Sequence, residues 1–168
     1  RAVSIATELK RHVTALQRAK PGLRPKLVLF SSSHLELDGL ASALRSLFDA
    51  SIAVDARAYG DQDNVAEKFF GNPDAFFLLC GSAHEEGLNL HFADALVHLD
   101  LPLSPQRIEQ RIGRLDRFGR AHETVEQRVF FPSVDEDTSP WEAWYELLAQ
   151  GFQVFNVSIA DVQLLLGK

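Results

Sequence analysis

Residues 75–102 read AFFLLCGSAHEEGLNLHFADALVHLDLP. An apolar run over 75–80 ends abruptly in a loop with Gly81 and Gly87, and a second apolar run over 95–99 ends in Asp100-Leu101-Pro102. Runs this short and this continuously apolar suit strands of a parallel sheet covered on both faces. In such sheets ligands sit at the carboxyl ends of the strands. The loop after residue 80 and the segment after residue 99 are therefore where function is to be sought.

Working outward, the same alternation recurs. Ala2, Ile5, Ala6, Leu9, Val13 and Leu16 stand at helical spacing, so residues 2–18 read as an amphipathic helix, stopped by Pro21, Gly22 and Pro25. KLVLFS at 26–31 reads as a buried strand. A helix follows with Leu37, Leu40, Ala41, Leu44, Leu47 and Phe48 on one face, then a second strand is expected at 52–54. Residues 61–70 read as a helix with Val65, Phe69 and Phe70 inward. Ser104-Pro105 carries the signature of a helix start, and Gly119 is a suitable stop. Residues 124–131 alternate as a strand. Ser139 and Glu142 have capping-box spacing and open a helix to about Gln150, and Ser158 and Asp161 predict a last short helix to Leu166.

Strands alternating with helices predict an α/β class, a three-layer αβα domain with a mainly parallel sheet. We divide the chain into an N-terminal helix (1–20), the α/β lobe (21–132) and a C-terminal helical extension (133–168). No segment approaches the ~18 apolar residues of a membrane span. The chain starts at Arg1 and lacks methionine, so it reads as a piece of a longer protein. Its one cysteine, Cys80, cannot form an internal disulfide and reads as a buried residue at a strand end, in keeping with a reducing, cytoplasmic setting.

The net charge is −6, which argues against a protein that coats nucleic acid through general basicity. Residues 104–120 reverse that sign, with Arg107, Arg111, Arg114, Arg117 and Arg120 against Glu109 and Asp116. On a helix Arg107, Arg111 and Arg114 share a face. Charge alone describes a solvated basic face bridged to Glu109 and Asp116. Gly113, costing a helix roughly 1 kcal/mol against Ala, suggests that something requires the missing side chain. Paired guanidiniums can also grip a phosphate chain and neutralise charge on a transferred phosphoryl group.

The order of these parts decides between the two. A strand, a Gly-x5-Gly-x-Asn loop, a strand ending in Asp100-Leu101-Pro102 and then Gln110-Arg111-Ile112-Gly113-Arg114-Leu115-Asp116-Arg117-Phe118-Gly119 closely resembles motifs V and VI of superfamily-2 helicases. The Leu88-Asn89-Leu90 and Arg117–Gly119 elements resemble the Swi/Snf-type branch, closest to the bacterial RNA-polymerase-associated RapA-like group. The resemblance runs over about 24–132, with residues 26–32 placed like motif IV.

It implies the second RecA-like lobe of an ATP-driven motor. Arg114 and Arg117 would be arginine fingers. Gln110 and Gly113 would line the interlobe cleft, and Gly87 and Asn89 would lie at the nucleotide edge. Ser31, Ser32 and Ser82 would touch the nucleic-acid backbone. Partners implied are ATP with Mg²⁺, an N-terminal RecA-like lobe of the same chain, double-stranded DNA as the track, and a larger protein complex. The sequence departs from the typical Swi/Snf pattern at Gly113, usually an acid, at Arg120, usually Gln, and at His84-Glu85-Glu86, usually small.

The sequence holds no Gly-x4-Gly-Lys-Ser/Thr loop and no Asp-Glu strand for Mg²⁺. The piece is thus expected to lack ATPase activity without its partner lobe. The six histidines show no metal-ligand spacing, and His98 reads as a core residue. Trp141, Trp144 and Tyr145 read as packing rather than as base-stacking groups. The alternative function is a docking or scaffold module of RecA-like fold without catalysis.

Overall fold

The computed structural model of the chain describes residues 1–60, 62–115, 126–131, 140–155 and 162–166. The first helix, α1 (Ala2–Ala19), leads through a left-handed turn at Gly22 (φ 85°) into β1 (Leu27–Phe30). There follow α2 (His34–Leu47), β2 (Ala53–Asp55), α3 (Gln62–Gly71), β3 (Phe77–Cys80), β4 (Ala95–His98), α4 (Pro105–Gly113), β5 (Glu126–Phe131), α5 (Pro140–Glu146) and β6 (Val162–Leu166). The six strands form one sheet in the order β2-β3-β1-β4-β5-β6, each neighbour parallel. This is the expected three-layer RecA-like domain.

Both faces of the sheet are sealed, which is why its central strands are apolar throughout. Val28, Phe30, Leu78, Cys80 and Leu96 point into one core, with Val65 and Phe69 of α3 and Ile108 and Ile112 of α4. Leu27, Leu29, Phe77, Leu79, Ala95 and Val97 point into the other, with Ile5, Leu9 and Val13 of α1 and Leu37, Leu40 and Leu44 of α2. The first twenty residues are therefore a layer of this domain. Leu148, Val154 and Phe155 enter the α3–α4 core in the same way. The Trp144 indole N–H donates to Pro102 O at 3.1 Å, and the Tyr145 ring lies 5.7 Å from Phe131 and 5.4 Å from Phe155. Both aromatic side chains pack, as the sequence suggests.

Three expectations need correction. Residues 162–166 are a strand, not the end of a helix, with Gln127 opposite Val162 and Phe131 opposite Leu166. A short, mostly apolar stretch fits either structure by pattern, and the open edge of β5 settles it with backbone hydrogen-bond partners. Phe70 is 60% exposed rather than inward. Val65 and Phe69 occupy the buried stripe of α3, and Phe70 lies about 100° further round, against the Phe92 ring at 4.8 Å. Finally, α4 ends at Gly113, where the Arg114 N–H splits between Gln110 O (3.2 Å) and Arg111 O (3.3 Å) and the turn tightens. The Gly119 stop and the Ser139 cap lie outside the described residues.

Local chemistry sets the helix ends. The Ser33 hydroxyl accepts from Glu36 N at 3.3 Å and caps α2. At the other edge of the sheet Lys26 is buried. Its ammonium donates to Phe69 O (2.8 Å), Asn72 O (2.6 Å) and Ala75 O (2.6 Å) and sits 4.7 Å from the Phe69 ring. One charge thus serves three carbonyls at and just beyond the end of α3, where the helix dipole favours a cation; Asn72 O also accepts Ala75 N at 3.3 Å. Lys26→Met is expected to lower the unfolding free energy by about 2–3 kcal/mol, because the methionine fills the space but removes the buried donor that the three carbonyls share. Urea denaturation of the two proteins measures the difference, and equal midpoints would show that water replaces the ammonium without loss.

Candidate functional site

Because every strand runs the same way, all carboxyl ends emerge at one edge. Ser31 and Ser32 leave β1 there, residues 81–86 leave β3, and Asp100 follows β4. The ladder continues past the strands, through Ser31 N to Cys80 O (3.1 Å) and Leu99 N to Phe30 O (2.9 Å), so these tips are held in register. Helix α4 starts at Pro105 beside this edge and meets all three tips through its arginines.

The contacts are specific. Arg111 is fully buried. Its Nε donates to Glu85 Oε1 (2.8 Å), its Nη1 to Asp100 O (2.9 Å) and its Nη2 to Asp100 Oδ1 (3.0 Å), and its guanidinium lies 5.4 Å from the Phe30 ring. Arg107, one turn earlier, holds the same Glu85 with two bonds, Nε to Oε2 (2.7 Å) and Nη2 to Oε1 (2.9 Å), and its Nη2 also reaches Ser32 Oγ (3.2 Å). Hydrogen bonding to Glu85 holds the Arg107 guanidinium even more firmly in its charged form than usual. Asp100 completes the cluster by accepting Ser32 N at its Oδ2 (2.6 Å).

Further along α4 the Gln110 amide donates to Glu86 Oε1 (3.0 Å). Arg114 is half-buried. Its Nε turns back toward Gln110 O (3.4 Å), and its carbonyl accepts Leu90 N (3.1 Å). That last bond joins the end of the helix to the loop containing Gly87 and Asn89. Gly87 has φ 88°, a left-handed conformation that favours glycine. The Asn89 amide oxygen is 2.8 Å from His91 Nδ1, and Asn89 lines a cavity of about 390 Å³ with Ala66, Glu67, Phe70, His91 and Phe92.

The structure thus brings together Gly87, Asn89, Gln110, Gly113 and Arg114 on one side, and Ser32 with Arg107 on the other. Ser32 and Ser82 are exposed. Ser31 is not: it is buried, its hydroxyl donates to Glu36 Oε2 (2.7 Å) and it accepts Ser33 N (3.0 Å). Its hydroxyl is an internal turn clasp, not a group held out to a strand. Among the described residues a Cβ on Gly113 would meet nothing within 4 Å, so none of them requires the missing side chain. Arg117 lies outside the described residues.

Sequence reasoning missed the acids. It matched the basic row with Glu109 and Asp116, whereas Arg107 and Arg111 pair with Glu85 and Asp100. Glu85 looked like a departure from a small-residue loop; it is the buried counter-charge to Arg111. A further arginine, Arg57 after β2, binds both oxygens of Asp55 (2.9 and 2.6 Å) and Asp38 (2.6 Å), tying β2 to α2. No signal in the sequence pairs Arg107 and Arg111 with Glu85, 22 and 26 residues away.

His98 is fully buried, with Nε2 3.3 Å from Gln127 Oε1. Loss of hydration, then the positive charge of Arg111, push its pKa down to about 3. Cys80 is buried too, and burial pushes its thiol well above the usual range, so it stays protonated. Among the described residues no group of His, Cys, Asp and Glu could hold a metal ion, and no helix is long and apolar enough to cross a membrane.

This fold and this edge define a class: the chain is a C-terminal lobe of a superfamily-2 helicase. Residues 11–119 match the helicase conserved C-terminal domain, and the chain belongs to that family. It is 35% identical over 135 residues to the RNA polymerase-associated protein RapA of Pseudomonas putida F1, covering 77% of this chain and 13% of the relative. It is 47% identical over 64 residues to RapA of Serratia proteamaculans 568, covering 38% of this chain and 7% of the relative. The matched residues thus span only about an eighth of the length of the Pseudomonas putida relative. Among solved structures, the C-terminal part of the Fun30 ATPase domain superposes with TM-score 0.65 at 21% identity, over 84% of this chain and 44% of that one. Domain 2 of the DEAD-box helicase Mss116p, bound to an RNA duplex, superposes with TM-score 0.66 at 15% identity, over 98% and 60%. At these identities the superpositions speak for the fold.

Two outcomes follow from the geometry. Glu85→Ala leaves a fully buried guanidinium without one of its two acids, so a stability loss of about 3–5 kcal/mol is expected. Glu8→Ala, at the exposed pair with Arg11, is expected to cost less than about 1 kcal/mol in the same denaturation assay. The second outcome concerns pH. The pKa of His98 is lower in the folded state, so the unfolded chain binds the proton more readily and stability falls as pH drops below about 6.5. Between pH 6.5 and 5 the wild type is expected to lose about 1–2 kcal/mol more than His98→Leu. Parallel stability curves for the two proteins over that window would exclude His98 as the source.

Proposed function

We propose that this chain is the second motor lobe of an ATP-driven nucleic-acid translocase or helicase, inactive as an ATPase until joined to its partner lobe. The observation that carries the reading is the bond from Leu90 N to Arg114 O. It fixes the end of the arginine helix beside the Gly87–Asn89 turn. The residues suit the edge of a nucleotide: a half-buried arginine, a left-handed glycine that opens its backbone, and an amide residue that lines a cavity.

In this reading Arg114 and Arg117 reach across a cleft to the terminal phosphate of ATP held by the N-terminal lobe. Their charge offsets the negative charge that develops on the transferred phosphoryl oxygens. Gln110 and Gly113 line the cleft, and the open space over Gly113 lets another lobe approach α4 closely. Mg²⁺ and most of the ATP contacts belong to the partner lobe, since this sequence has no P-loop and no Asp-Glu strand. Ser32 and Ser82, exposed on neighbouring strand tips, contact the sugar-phosphate backbone without reading bases. Double-stranded DNA is the proposed track. The similarity to RapA proteins supports placement in a larger assembly around RNA polymerase in the cytoplasm.

The test uses the full-length protein. Arg114→Ala and Arg117→Ala are each expected to cut nucleic-acid-stimulated ATP turnover by roughly 10³-fold or more, with the melting temperature unchanged within error. Wild-type turnover in both variants removes the finger assignment. If the wild type itself has no ATPase, the chain is a docking module of the same fold.

A further inference from the structure

We propose that Arg107 is a phosphate contact on the nucleic-acid track, aimed by the buried carboxylate of Glu85. The inference rests on the motor-lobe reading above and adds a cation to a track that otherwise offers hydroxyls. It starts from a difference in burial along one helix row. Arg107, Arg111 and Arg114 share a face of α4, yet they meet different surroundings. The Arg111 side chain is wholly buried, whereas that of Arg107 is 36% exposed over a Glu85 side chain only 4% exposed.

The layering matters more than the sum of charges. Arg107 and Arg111 are balanced in number by Glu85 and Asp100, so the cluster is neutral overall. Glu85, however, lies underneath, while the Arg107 guanidinium lies at the rim and the Asp100 side chain is 25% exposed. Asp100 is turned to Arg111 and Ser32 N, and the neighbouring Glu86 is engaged by Gln110. The edge that a strand would pass thus holds the Arg107 guanidinium and the Ser32 hydroxyl, and its exposed acids are already engaged by Arg111, Ser32 N and Gln110.

Donor geometry agrees. Arg107 has five N–H groups. Among the described contacts, Nε and Nη2 serve Glu85, Nη2 also serves Ser32 Oγ, and Nη1 has no described partner. A phosphate oxygen can accept from Nη1 while Glu85 keeps its two bonds. No ion pair has to break, and the side chain is already ordered, so little rotamer entropy is lost on binding. Ser32 is tied through its own N–H to Asp100 at 2.6 Å, which fixes its hydroxyl beside the guanidinium. Rigid strand tips thus present a donor pair of the kind that holds a phosphodiester, with no base within the design.

The experiment is a salt titration of DNA binding by the full-length protein. A mixed-sequence duplex and a second of unrelated sequence are used as probes, with wild type, Arg107→Gln, Arg107→Ala and Arg107→Lys. Loss of one phosphate contact reduces the slope of log K against log salt by about 1. Arg107→Gln and Arg107→Ala are expected to show that reduction on both duplexes, and Arg107→Lys to retain the wild-type slope. Arg107→Gln can still hydrogen-bond Glu85, and Arg111 keeps Glu85 in both variants, so the fold is expected to persist, as equal melting temperatures would verify. Wild-type slopes in both the Gln and Ala variants overturn the Arg107 assignment and leave the motor reading intact. A wild type that binds neither duplex in a salt-dependent way sinks both.

Discussion

A guanidinium with no exposed surface organises this domain. Arg111 reaches from α4 to the loop after β3 and to the residue after β4, and sits against the aromatic ring that ends β1. Removing such a charge from water is costly unless hydrogen bonds and counter-charges are in place around it. Three bonds to Glu85 and Asp100 supply them. The requirement works in both directions. The strand tips must converge for Arg111 to be satisfied, and α4 must lie where Arg111 can reach them. Position, more than net stability, is what a buried ion pair of this kind specifies here.

The rest of the edge inherits that geometry. Once Arg111 is fixed, the helix row places Arg107 at the rim near Ser32 and Arg114 at the end of the helix, bonded through its carbonyl to Leu90. A single 3.6-residue repeat thus yields a rim cation, an internal anchor and a residue beside the Gly87 turn. The parallel sheet makes this possible because all its carboxyl ends open on one side. The opposite edge is closed instead, with Lys26 under the end of α3 and Asp94 accepting Lys26 N at 2.7 Å.

The acidic net charge is compatible with a nucleic-acid track on the same grounds. What a passing strand meets is the local order of charges at the edge, and Glu85 is covered where Arg107 is not. Contacts of this kind position a backbone without selecting a sequence. That agrees with the proposed role of a lobe that moves along nucleic acid rather than stopping at one site.

The sequence alone determined the α/β class, the central strands β1, β3 and β4 with their fully apolar runs, and the helices α1, α2 and α4. Each is local: period, caps and breakers reside in adjacent residues. It also marked the Gly87 loop and the arginine helix, because the order of motifs along the chain is itself a sequence property. Tertiary structure decided what depends on distant partners. It turned residues 162–166 into a strand against β5, set Phe70 outward and closed Ser31 inward. It also divided the arginine row by burial, pairing Arg111 with Glu85 from 26 residues away. A periodic pattern tells which side chains share a face. Only the packed chain tells whether that face meets water, an acid or a core.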